Sequence, residues 1–76
     1  MPHVIVKIAV GRNQQQKERI ASKVTIAIMT TANVGEDAVS VSIEDFEPSE
    51  WAEKVFRPDI LGKPDTLFRK PGYDPL

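Results

Sequence analysis

Two short runs rich in β-branched residues, set apart by a stretch with helical spacing, constrain this chain more than any other feature. The first, His-Val-Ile-Val-Lys-Ile-Ala-Val over residues 3–10, carries apolar residues at both parities, the pattern of a strand covered on both faces. The second, Ala-Val-Ser-Val-Ser-Ile-Glu over residues 38–44, alternates strictly. Val39, Val41 and Ile43 fall on one face of it, and Ser40, Ser42 and Glu44 on the other. Between the runs, Ile20, Val24, Ala27, Ile28 and Thr31 recur at i, i+4, i+7, i+8 and i+11, which predicts a helix over about residues 14–31. Asn13 and Gln16 have the spacing of a capping box at its start, and Asn33 and Gly35 tolerate the left-handed backbone that ends a helix. Strand, helix and strand in about 45 residues form a βαβ unit, with parallel strands and the helix on one face of the sheet.

That unit leaves a problem at the other face. A parallel sheet is normally buried on both sides, and two strands alone are marginal. The whole chain has 76 residues and no cysteine, too few to bury a generous core and without disulfides to compensate. Oligomerisation is the remaining supplement, and Val4, Val6 and Ile8, or their alternates, are expected at a subunit interface, with the serine side of the second strand bordering it or a pocket. After Phe46, Glu47-Pro48-Ser49-Glu50-Trp51 reads as a second helix start, with Pro48 at the first helical position and Trp51 and Val55 one turn apart. This helix is expected to be short, because Pro58 disfavours helix at Arg57. The remainder, with Pro64, Pro71, Gly72 and Pro75, reads as an irregular tail. No repeat or change of composition divides the chain, so one domain over residues 1–76 is expected, of α/β (α+β) class.

Ten Lys and Arg against eleven Asp and Glu, mixed along the chain, give a net charge of −1. That balance argues against a nucleic-acid or anionic-membrane surface. No apolar run approaches the roughly 20 residues of a membrane span, and Met-Pro-His does not resemble a signal peptide. A soluble, cytoplasmic protein is expected. The single histidine excludes the usual zinc ligand sets, and glycine-rich phosphate loops and nucleophile triads are absent.

What remains is a proline directly after the initiator methionine. At a free amino terminus, proline presents a secondary amine. Burial beside apolar groups and a nearby cation such as Arg12 both disfavour its protonated form, so the amine can serve as a base near neutral pH. The nitrogen of Pro2 is an amide while Met1 remains, so this chemistry requires removal of Met1. Taken singly, Arg12 reads as a solvated side chain, Trp51 as core or interface, and His3 as a strand residue with a satisfied ring.

Met-Pro-His at the start, Gly11-Arg12 followed by Gln15-Gln16-Lys17, the strand from Val39 to Ile43, Pro48 to Trp51, and Lys70-Pro71-Gly72-Tyr73 together resemble the 4-oxalocrotonate tautomerase family, in particular its longer-tailed PptA-like group. The resemblance spans essentially the whole chain. It implies a tautomerase-like βαβ fold completed by oligomerisation, a dimer in preference to a hexamer, with active sites at subunit boundaries and neither cofactor nor metal. It also implies that Pro2 is the general base and acid, that Arg12 binds a carboxylate or carbonyl oxygen, and that Trp51 is an aromatic wall favouring the neutral amine. Ser40 stands where the best-studied members carry a second arginine. A serine cannot stabilise negative charge as a guanidinium does, so a substrate with one carboxylate and an apolar body, such as an enolpyruvate, is expected rather than a dicarboxylate. Lys7, Arg57 and Arg69 are conceivable sources of a second cation.

The resulting expectation is an isomerase that moves a proton within a small 2-oxo acid or its enol. Two alternatives follow from the same residues. One is a hydratase, dehalogenase or decarboxylase acting on an unsaturated acid, with Glu44 as a candidate to activate water. The other is a non-catalytic oligomeric module that binds a small acid.

Overall fold

The computed structural model describes residues 1–76. It contains β1 (His3–Ala9), α1 (Gln14–Ala32), β2 (Ser40–Phe46) and α2 (Pro48–Trp51), and α2 runs directly into a π-helical segment, Ala52–Leu61. The architecture is α+β, a βαβ unit followed by a second short helix and a tail. No helix is long and apolar enough to cross a membrane.

β1 and β2 pair in parallel, from His3 opposite Ser40 to Ala9 opposite Phe46. Gly11 makes the exit from β1 with φ of 125°, a conformation that a side chain would strain. Asn13 then caps α1 as its spacing predicts: its side chain accepts the Gln16 N–H at 2.8 Å, and the Gln16 side chain accepts the Asn13 N–H at 3.0 Å. Asn33 ends the helix in the left-handed region, at φ 57°. Three of the five positions expected to face the sheet, Ile20, Val24 and Ile28, are half-buried, whereas Ala27 and Thr31 are exposed and Ala21, Thr25 and Met29 take their place. The helix is turned toward β2, whose Val41 and Ile43 share a cleft with Ala21.

β2 begins later than expected. Glu36–Ala38 form a 3₁₀ turn, and Val39 N–H bonds back to Glu36 O at 3.1 Å, so residues 38 and 39 lie before the ladder. At its far end the ladder extends to Phe46, whose carbonyl accepts Val10 N–H at 2.9 Å.

Strand parity decides which face is which. Val4, Val6 and Ile8 share the α1 side with Val41, Ile43 and Asp45, and Lys17 of α1 is ion-paired with Asp45. These three apolar residues therefore lie beneath α1, and their alternates His3, Ile5, Lys7 and Ala9 form the second face. That face is not wholly uncovered. The π-segment crosses part of it, with Lys7 ion-paired to Asp59 and Val55 beside Ile5 and Lys7.

The second helix begins at Pro48, as expected, but passes Pro58 instead of stopping at Arg57. In a π-helix each N–H reaches back five residues, and the wider spiral gives the proline ring room beside the carbonyl four residues earlier, the usual source of its clash. Gly62 closes the segment with an N–H bond to Arg57 O of 2.8 Å. A Cβ at Gly62 would lie 2.7 Å from Pro58 O, so the closure depends on glycine. Only Val55 and Phe56, both on this segment, are buried, at 4% and 5% exposure.

Candidate active site

Pro2 stands at the entrance to β1, half-buried, and behind it Met1 is fully exposed. The Pro2 carbonyl accepts the Ser40 N–H at 3.2 Å. Next to it, His3 Nδ1 and Ser40 Oγ are hydrogen-bonded at 2.7 Å. Of the residues singled out in the sequence, Pro2 and Ser40 therefore meet at the start of the ladder.

Arg12 and Trp51 lie at the opposite end. Arg12 follows the seven residues of β1, and at about 3.3 Å per residue the strand separates it from Pro2 by on the order of 20 Å. Its Nη1 donates to Ala9 O at 3.1 Å. Trp51 packs edge-on against Phe46, the partner of Ala9, with ring centroids 6.3 Å apart. The indole Nε1–H donates to the Tyr73 hydroxyl at 2.8 Å, so the ring's one polar atom is satisfied. One chain thus does not bring the amine, the guanidinium and the indole together.

Arg12 lines a groove of about 450 Å³ with Gln16, Arg19, Ile20, Lys23 and Val24. None of its three cations belongs to any of the five ion pairs of the chain. The groove is cationic at its rim and aliphatic at its floor, which suits a carboxylate attached to an apolar body. Arg19 and Lys23 were not singled out in the sequence, although with Gln16 they recur at i, i+3 and i+7 on one face of α1, just beyond Arg12.

The cations considered as a second anion binder are differently placed. Lys7 is tied to Asp59 and lies 5.9 Å above the Phe46 ring. Its ammonium is held above the usual lysine value, first by the hydrogen bond it donates to Asp59, and the Asp59 carboxyl is held below its own, first by Lys7. Arg57 bonds Glu53 at 2.8 Å. Arg69 is exposed on the tail. Glu44, the candidate to activate water, is exposed on the second face of the sheet.

A further cavity of about 320 Å³ lies between the π-segment and the tail, over Phe56, with Lys70 and Asp74 among its lining residues. Neither Pro2 nor Arg12 borders it. Phe56 contacts Tyr73 there, at 6.1 Å between ring centroids, so the same tyrosine that holds Trp51 also packs on the core.

The model of a family described as tautomerase enzymes matches residues 2–55. A "probable tautomerase" of Xylella fastidiosa (strain 9a5c) is 40% identical over 76 residues, covering 100% of this chain and 93% of that protein. Tautomerase PptA of Cronobacter sakazakii (strain ATCC BAA-894) is 33% identical, covering 97% and 99%. Among solved structures, YwhB, a homologue of 4-oxalocrotonate tautomerase, superposes with a TM-score of 0.65 at 33% identity, over 71% of this chain and 88% of that one. The family match ends at Val55, whereas the Xylella relative aligns through the tail as well. With its βαβ fold and its amino-terminal Met-Pro-His, the chain belongs to the tautomerase family of enzymes, among the relatives of 4-oxalocrotonate tautomerase, and is an isomerase.

Proposed function

We propose that the chain, as one domain, moves a proton within a small 2-oxo acid or its enol, with the amine of Pro2 as general base and acid once Met1 has been removed. The base takes the enol hydroxyl proton, the oxygen's electron pair closes the carbonyl, and the double bond accepts that proton from the prolinium at carbon. Nothing is oxidised or reduced, and no cofactor enters. Arg12 holds the substrate carboxylate, and Trp51 supplies an apolar wall that disfavours the protonated amine. The observation that carries this reading is the groove of Arg12, where unpaired cations border an aliphatic floor.

The two ends of the ladder must then be joined by a second copy. A partner turned end for end sets its Arg12 and Trp51 against Pro2 and Ser40, and a twofold dimer forms two such sites. Both strands have an unpaired outer edge, which a second copy can extend. The burial of only two residues and the 52% exposure of Ile5 on the second face also favour assembly. A dimer is the smallest assembly that meets these needs.

Ketonisation of phenylenolpyruvate, followed by ultraviolet absorbance, tests the reading. Replacing the base in Pro2→Ala is expected to lower kcat by roughly 10²- to 10⁴-fold. Arg12→Ala is expected to act mainly by raising KM. Native activity in Pro2→Ala would remove the amine from the mechanism.

A further inference from the structure

The Pro2 end of the ladder carries one side-chain hydrogen bond, between His3 Nδ1 and Ser40 Oγ at 2.7 Å. The register sets the two residues directly opposite each other. Both adjoin Pro2, His3 by the peptide bond and Ser40 through its N–H to the Pro2 carbonyl at 3.2 Å. Both are exposed.

A serine hydroxyl has one proton to donate. When Nδ1 of a neutral ring is the acceptor, that proton is committed to His3 and Ser40 offers a substrate oxygen only lone pairs. When the ring is an imidazolium, Nδ1–H donates to Oγ, the hydroxyl proton is free to point outward, and a positive charge lies behind it. Charge-assisted donors of this kind are stronger than neutral ones. In enol–keto transfer, negative charge develops on the oxygen that is losing or gaining its proton, where such a donor has its greatest effect.

We infer that His3 is a positioning residue which, through Ser40, switches on a hydrogen-bond donor for the substrate oxygen beside Pro2. The inference rests on the reading of Pro2 as the base. The imidazole carries one ring proton or two, and the direction of the Nδ1–Oγ bond follows from which nitrogens are protonated. Glu36 and Asp37 stand in the turn before β2, Glu44 lies further along the same face of that strand, and the amine of mature Pro2 is one residue away. Lys7 and Asp59 on the covering segment are paired with each other. None forms an ion pair with the His3 ring.

The test is the pH dependence of kcat and KM with phenylenolpyruvate for the mature chain, His3→Asn, Ser40→Ala, the double variant and Pro2→Ala. Asparagine can still bond Oγ but does not titrate. On top of the rise from deprotonation of the Pro2 amine, which every chain with Pro2 shares, native kcat/KM is expected to carry a limb that descends as pH rises, by roughly tenfold. His3→Asn should lack that limb and stay near the native high-pH value, and adding His3→Asn to Ser40→Ala should change nothing further. A second readout needs no turnover: the proton NMR titration of the His3 ring should move its midpoint in Ser40→Ala. Retention of the descending limb in His3→Asn, or an unmoved midpoint, overturns the inference while Pro2→Ala remains inactive. Native activity in Pro2→Ala overturns the underlying reading and this inference with it.

Discussion

The two ends of the β1–β2 ladder are built from different materials. At the start, Pro2, His3 and Ser40 are joined by one backbone bond and one side-chain bond. At the finish, Phe46, Trp51, Tyr73 and Phe56 form a chain of aromatic contacts and a hydrogen bond that leads to the only buried residues. The first end has polar groups and little packing, and the second has packing, with an unpaired guanidinium beside it. A proton-transfer site requires both an accessible base and an apolar, cation-bearing wall, and in the proposed function each end supplies one half. The division also separates chemistry from stability, because groups at the sparse end can be altered with little loss of core.

Substitutions that probe this division should differ sharply in cost. Phe56→Ala removes one of two buried side chains and should destabilise the chain by about 3–5 kcal/mol, read as a lower urea midpoint at fixed protein concentration. Ser40→Ala should cost about 1 kcal/mol or less by the same measurement. Equal effects would mean that the start of the ladder is part of the core. Tyr73→Phe, which removes only the hydroxyl that accepts the Trp51 N–H, should lower stability by about 0.5–1.5 kcal/mol. It should also shift Trp51 fluorescence, and an unchanged spectrum would detach the tail from the indole.

The smallest effect concerns the ion pair on the second face. The Asp59 carboxyl lies below its ordinary value of 3.8, chiefly through Lys7. Its contribution is complete above that value and is lost as pH falls through the lowered folded-state value. The Lys7 ammonium lies above 10.5, chiefly through Asp59, so its contribution is complete below 10.5 and is lost as pH rises through the raised value. Asp59→Asn should flatten both the acid and the alkaline decline of the urea midpoint. Persistence of both limbs would assign them to other groups.

Local signals carried much of the fold. The capping box at Asn13, the stop at Asn33 and the alternation of Val39 to Ile43 depend on neighbours a few residues apart, and each reads directly from residue type. The continuation past Pro58 was not legible, because it depends on a change from four- to five-residue hydrogen bonding that residue identity does not announce. Nor was the loss of Val39 from the ladder, which follows from a carbonyl at Glu36 capturing its N–H. At the site, the distance between Pro2 and Arg12 was available from strand length alone. Their separation is what the proposed site shared by two copies rests on. The cations beside Arg12 were available from helical spacing, but the pairing of His3 with Ser40 required the register of the sheet.

The most direct test of a site divided between opposite ends of two copies is complementation. Mature Pro2→Ala and Arg12→Ala chains, each weakly active alone at substrate well below the raised KM of Arg12→Ala, are unfolded together, refolded as a mixture and assayed with phenylenolpyruvate at that concentration. Random pairing into twofold dimers restores one native site in each mixed dimer, so activity should rise to about a quarter of the native value. Activity equal to the mean of the two variants would place Pro2 and Arg12 in the same copy's site and contradict the account.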